Sequence, residues 1–155
     1  NSMQQYRIKF ILGKITAYVD ALRLGKTTVD DLTSYTQTAV EIEHIMPQTC
    51  ADKELYGMND EDFSVYINRL GNLTLLENSI NKSIHNDVYA NKSKAYKQSK
   101  FYLTSSLSEL VNQGHDTAIN RTNSLLFAWS DWNKRSIEER QEMLYRLSEM
   151  IWEMS

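Results

Sequence analysis

The chain has 155 residues, 41% of them hydrophobic and 24% charged, which suits one domain with a real core. Its formal charge of −3 excludes a global basic field, so any contact with nucleic acid must rest on a local patch. The lone Cys50 excludes an internal disulfide, and neither a signal peptide nor an apolar run near the ~20 residues of a membrane span occurs, so a soluble cytoplasmic protein is expected.

Ile8, Ile11, Leu12, Ile15, Tyr18, Val19 and Leu22 recur at helical spacing and Gly25 sits where a helix stops, which predicts a helix from Met3 to Leu24. A short helix is expected over Val29 to Ser34, capped by Thr28 with Asp31 three residues on. Thr38 to Ile45 alternates and is β-branched, so it reads as a strand that ends at Pro47. Residues 48 to 69 read as loop plus a helix around Glu61 to Asn68. After the Gly71-Asn72 turn, Leu73 to Leu76 reads as a second strand, followed by a helix from Asn78 and another from Asn86 through Tyr89 and Tyr96. Leu103 to Val111 reads as one more helix, and 112 to 123, with Gly114, as loop. Ser136-Ile137-Glu138-Glu139 has the form of a capping box, behind which Ile137, Leu144, Leu147 and Ile151 mark a closing amphipathic helix. The expected architecture is α+β and mostly helical, with a small two-stranded insert.

The chemistry-bearing residues gather on that insert. Glu43-His44-Ile45-Met46-Pro47 is followed by Leu70-Gly71-Asn72-Leu73-Thr74-Leu75-Leu76 and then by Asn81 and Lys82. Cleaving a phosphodiester requires a base for the attacking water, neutralisation of new negative charge and a stabilised leaving oxygen. His44 suits the base, because an imidazole titrates near neutral pH. Glu43 and Asn81 offer the carboxylate and amide oxygens that Mg²⁺ or Mn²⁺ prefers, with positions left for water and phosphate. Asn72 can hold the loop carrying His44 through side-chain to backbone hydrogen bonds. Neighbouring strand residues face opposite sides, so Glu43 and His44 converge on one phosphate only if the strand twists or breaks there.

Taken singly, each of these residues has an ordinary role. A lone strand His is usually structural, Asn72 a turn residue and Asn81 a helix-start residue; Asn78 competes with Asn81 as cap and Asn86 competes with it as ligand. His85 and His115 read as surface residues, Cys50 as a spectator, and Trp129, Trp132 and Trp152 as packing residues. Between Lys82 and Lys100 lie five lysines (82, 92, 94, 97 and 100) and one acid, Asp87, a local excess of +4. Such a run is usually a solvated face. Its position after Asn81, with Tyr89, Tyr96 and Tyr102 interleaved, makes Lys82, Lys92, Lys94 and Lys97 candidate DNA-phosphate contacts.

The ordered set resembles the HNH (His-Me finger, ββα-metal) superfamily, and more narrowly the C-terminal nuclease domain of GmrSD-type, modification-dependent restriction endonucleases. The matching stretches are His44 to Gln48, Gly71 to Leu76, Lys92, Tyr96 and the closing Ile151-Trp152. The resemblance implies one nuclease domain over 1–155, with a ββα-metal core at about 38–98 embedded in helices. It implies His44 as general base, Glu43 and Asn81 as metal ligands and Asn72 as the residue that orients the site. The first acid of the superfamily is often Asp, one methylene shorter than Glu43. Positions that carry paired zinc-binding cysteines in many relatives hold Glu77 and Ile80, so no structural zinc is expected. The chain begins Asn1-Ser2 before Met3 and is expected to be part of a longer protein. The family implies an N-terminal nucleotide-hydrolysing partner domain, whose Gly-x-x-x-x-Gly-Lys-Ser/Thr loop is not in this chain. Two rival readings are a non-catalytic nucleic-acid-binding module on the same fold and a ribonuclease toxin.

Overall fold

The computed structural model describes residues 1–29 and 31–153. Helix α1 (Ser2–Arg23) starts where the Asn1 side chain accepts the Met3 N–H. It stops in a Schellman turn: Gly25, at φ +69°, donates to Leu22 O, and Lys26 N–H reaches back to Ala21 O. Leu12, Ile15 and Val19 form its buried stripe.

Strands β1 (Val40–His44) and β2 (Leu73–Glu77) pair antiparallel, with Val40 opposite Glu77, Glu43 opposite Thr74 and His44 opposite Leu73. A two-stranded ribbon is marginal alone. Here β2 is buried on both faces. Leu73 and Leu75 pack with Leu12, Val40 and Phe101, while Leu76 enters the main core with Ile45, Met46, Tyr96 and Ile137. Helix α4 (Asn78–Ile84) follows β2 directly and packs on both strands, completing a β-β-α unit within a mostly helical α+β fold. The other helices are α2 (Thr33–Thr36), α3 (Asp60–Tyr66), α5 (Tyr89–Tyr96), α6 (Tyr102–Ser105), α7 (Ala118–Asn123) and α8 (Lys134–Glu153). None of the helices among the described residues is long and apolar enough to cross a membrane.

Helix α8 closes over the turn that leads into β2. A Cβ on Gly71 would lie 2.2 Å from Ile137 O and 2.9 Å from Gln141 N, so only glycine lets the helix backbone come this close. The buried Arg140 guanidinium then donates from Nη1 to Gly71 O and Leu73 O at 3.1 and 2.6 Å. Trp132 stacks on Tyr89 and meets Trp129 edge-on in the same core, whereas Trp152 is half-exposed.

Four local expectations are corrected. The helix expected over 29–34 lies later, at Thr33–Thr36, with Asp31 accepting from Thr33 N–H; residue 30 of that expectation falls outside the described residues. The helix expected over 103–111 is a single turn, α6, and beyond it the Leu107 carbonyl accepts the Trp129 N–H at 2.8 Å. Within the expected loop 112–123, Thr117 caps α7 by accepting the Asn120 N–H. The capping pair of α8 is Asn133 with Ser136, each side chain accepting the other's backbone N–H.

Candidate active site

His44 ends β1 at the mouth of a polar cleft of about 200 Å³, lined by Ile42, Glu43, His44, Pro47, Gln48, Asn81, His85, Asn86 and Lys92. A larger cleft of about 610 Å³ lies between α1 and the end of β2, away from this group. The His44 ring is half-buried, and its Nε2 lies 3.0 Å from Asn68 Oδ1. An amide oxygen only accepts, so Nε2 carries the proton and Nδ1 keeps its lone pair. Burial lowers the His44 pKa below its usual 6.5, outweighing the opposing effect of the Asn68 bond. The imidazole is therefore neutral at pH 7.

Glu43 points the other way. It is 4% exposed, and its Oε1 accepts from Lys92 Nζ at 2.6 Å and Tyr96 OH at 2.8 Å. Burial and the adjacent Glu43 charge hold the Tyr96 phenol well above its ordinary range, so it remains a donor. Lys92 also donates to His44 O at 2.8 Å. The alternation of the strand thus persists to its last residue, with Glu43 turned under α5, where it lines the cleft from beneath, and His44 on the other strand face.

This burial bears on one sequence expectation. Lys92 is 1% exposed, with its ammonium committed to Glu43 and His44 O beneath the cleft rather than standing on the open surface. Lys82, Lys94 and Lys97 are exposed, Lys97 beside Glu109 at 3.2 Å.

Asn72 is fully buried behind the cleft. Its Oδ1 accepts from Met46 N–H (2.7 Å) and Trp132 Nε1 (3.0 Å), and its Nδ2 donates to Met46 O (3.1 Å) and Ile67 O (2.9 Å). Its own carbonyl accepts the Ile45 N–H at 2.9 Å. One side chain and one peptide therefore hold the segment that follows His44.

Asn81, in the middle of α4, donates from Nδ2 to Glu41 Oε2 at 2.6 Å. Asn86 joins Asn81 in the cleft wall, while Asn78 binds Ala39 O through its backbone. His85, expected as a surface residue, is exposed but lines the cleft at φ +35°. Sequence reasoning missed Glu41 and Asn68, while Gln48 entered only as the end of the His44 to Gln48 match. Of the two missed, only Glu41 left a usable signal, since it lies two residues before Glu43 on the same strand face.

A family model for the C-terminal domain of GmrSD restriction endonucleases matches residues 1–147. Neither a curated protein nor a solved structure matches the chain. The chain belongs to this GmrSD C-terminal domain family, and so to a family of restriction-endonuclease nuclease domains.

Proposed function

We propose that this member of the GmrSD C-terminal domain family is a metal-dependent DNA endonuclease of the HNH type, serving a modification-dependent restriction or phage-defence protein. The observation that carries the reading is the neutral His44 imidazole, its Nδ1 free to accept a proton, in one cleft with the Asn81 amide. His44 takes the proton of the attacking water. Asn72 holds the His44–Pro47 segment so that the imidazole keeps its place. The donor set fits a hard cation such as Mg²⁺ or Mn²⁺: the Asn81 amide oxygen and the Glu43 carboxylate, whose Oε1 alone is bound by Lys92 and Tyr96. A divalent cation held there supplies charge that offsets the negative charge growing on the phosphate and the leaving oxygen. The exposed Lys82, Lys94 and Lys97 serve as phosphate contacts. The family's C-terminal placement supports a larger parent protein, and the reading gives that parent a nucleotide-hydrolysing domain.

The test is supercoiled plasmid incubated with Mg²⁺, Mn²⁺ or EDTA, with structured RNA in parallel. Nicked or linear product is expected only with the cation. His44→Ala should reduce the rate by roughly 10²- to 10⁴-fold. Cleavage in excess EDTA, or a His44→Ala variant keeping more than about a tenth of wild-type rate, overturns the mechanism. RNA cut in place of DNA overturns the substrate.

A further inference from the structure

Two carboxylates share one face of β1 and stand in different electrical settings. Glu43 is buried against Lys92, which neutralises it at 2.6 Å. Glu41 is half-buried and makes no ion pair among the described residues; Lys9, which feels its charge, is bonded to Gln37 O instead. The partner of Glu41 is the Asn81 amide, with Nδ2 2.6 Å from Oε2.

That bond sets direction as well as distance. A carboxylate accepts and cannot donate when ionised, so the amide must turn its NH₂ toward Glu41 and its oxygen away. An isolated Asn side chain swings freely between its two amide orientations, and only one presents oxygen to a cation. Metal ligands are commonly held in this way by an outer carboxylate, whose loss weakens binding.

We propose that Glu41 is a positioning residue of the cation site, clamping Asn81 so that Oδ1 is its ligating atom. This rests on the metal-dependent reading above. It divides the strand's carboxylates by task, because the one nearest His44 is already compensated by a buried lysine. The competing account is a plain strand-to-helix tie between β1 and α4. That tie would lower stability and leave cation affinity alone.

Mn²⁺ binding to the DNA-free protein by calorimetry and electron paramagnetic resonance separates the two, with thermal unfolding measured in parallel. Glu41→Ala should raise the Mn²⁺ Kd by about 10- to 100-fold. Glu41→Gln, which keeps an oxygen that accepts from Asn81, should recover most of the loss. If Glu41→Ala does not fold, Glu41→Met carries the same expectation. In cleavage assays the Mn²⁺ half-saturation point should move with the Kd. Wild-type Mn²⁺ affinity in Glu41→Ala overturns the inference, whatever its melting point. Glu41→Gln as weak as Glu41→Ala also overturns it, since Glu41 would then act by charge. Wild-type protein that binds no Mn²⁺ overturns the metal-dependent reading, and this inference with it.

Discussion

Replacing Lys92 with Ala separates a core residue from a DNA contact. The Lys92 and Glu43 side chains are 1% and 5% exposed at 2.6 Å, so the substitution leaves a buried carboxylate with only the Tyr96 hydroxyl. His44 O loses a donor in the same step. Removing one partner of a buried pair costs about 3–5 kcal/mol. At roughly 2–4 °C per kcal/mol for a chain of this size, the melting point should fall by about 6–20 °C. Glu43→Gln combined with Lys92→Met removes both charges, keeps an acceptor for Tyr96 and should recover much of the loss. Thermal and urea unfolding followed by circular dichroism give the midpoints of the singles and the pair. A phosphate-binding surface lysine behaves differently: stability stays within about 0.5 kcal/mol, while the salt slope of DNA binding drops by about 0.9. An unchanged midpoint in Lys92→Ala would refute the buried clamp.

Gly71→Ala forces a Cβ to 2.2 Å from Ile137 O, a backbone atom that cannot step aside, and should cost about 3 kcal/mol or more. A wild-type unfolding midpoint would mean that α8 does not close over this turn. Burial holds the His44 pKa below 6.5, and a base must be neutral to act. The rate should therefore rise with pH through a midpoint below 6.5 and level off by about 7; a limb centred above 7 in kcat/KM assigns the proton to another group. Lys82→Gln and Lys94→Gln should each flatten the plot of log K against log[salt] by about 0.9, and Lys97→Gln by less. Lys97 should contribute least, because Glu109 lies 3.2 Å away. A triple variant with wild-type affinity and slope makes the run a solvated helix face.

Signals confined to one element were legible in the sequence. Periodicity and Gly25 defined α1, alternation defined β1, and the Gly71-Asn72 turn located β2. What failed was set by partners distant in sequence. Leucines 103, 107 and 110 mark a helical face, but the chain leaves the helix after one turn and the Leu107 carbonyl pairs with the distant Trp129 N–H. Charge alone puts Lys92 with the surface lysines, yet Tyr89, Lys92 and Tyr96 fall at i, i+3 and i+7, the spacing of a buried stripe on α5. The aromatics interleaved with the lysines mark which lysine turns inward. Nothing local could reveal Asn68 as the His44 partner, because α3 brings it there across 24 residues.

The divergence of Glu43 and His44 is the main physical constraint on the site. Two neighbours on a regular strand cannot both face one phosphate, and β1 stays paired through His44 opposite Leu73. The strand turns this limit into a division of labour. Glu43 faces inward, and the lysine that neutralises it also binds the carbonyl of His44, so the buried pair grips the backbone that carries the half-buried imidazole. Asn72 secures the next residues from the opposite side through both peptide groups of Met46. His44 is therefore held by groups on both sides, and its half-buried ring can stay at the cleft. With Lys92 compensating Glu43, the direction in which the Asn81 amide presents its oxygen becomes decisive on that face, and Glu41 is the carboxylate bonded to its NH₂.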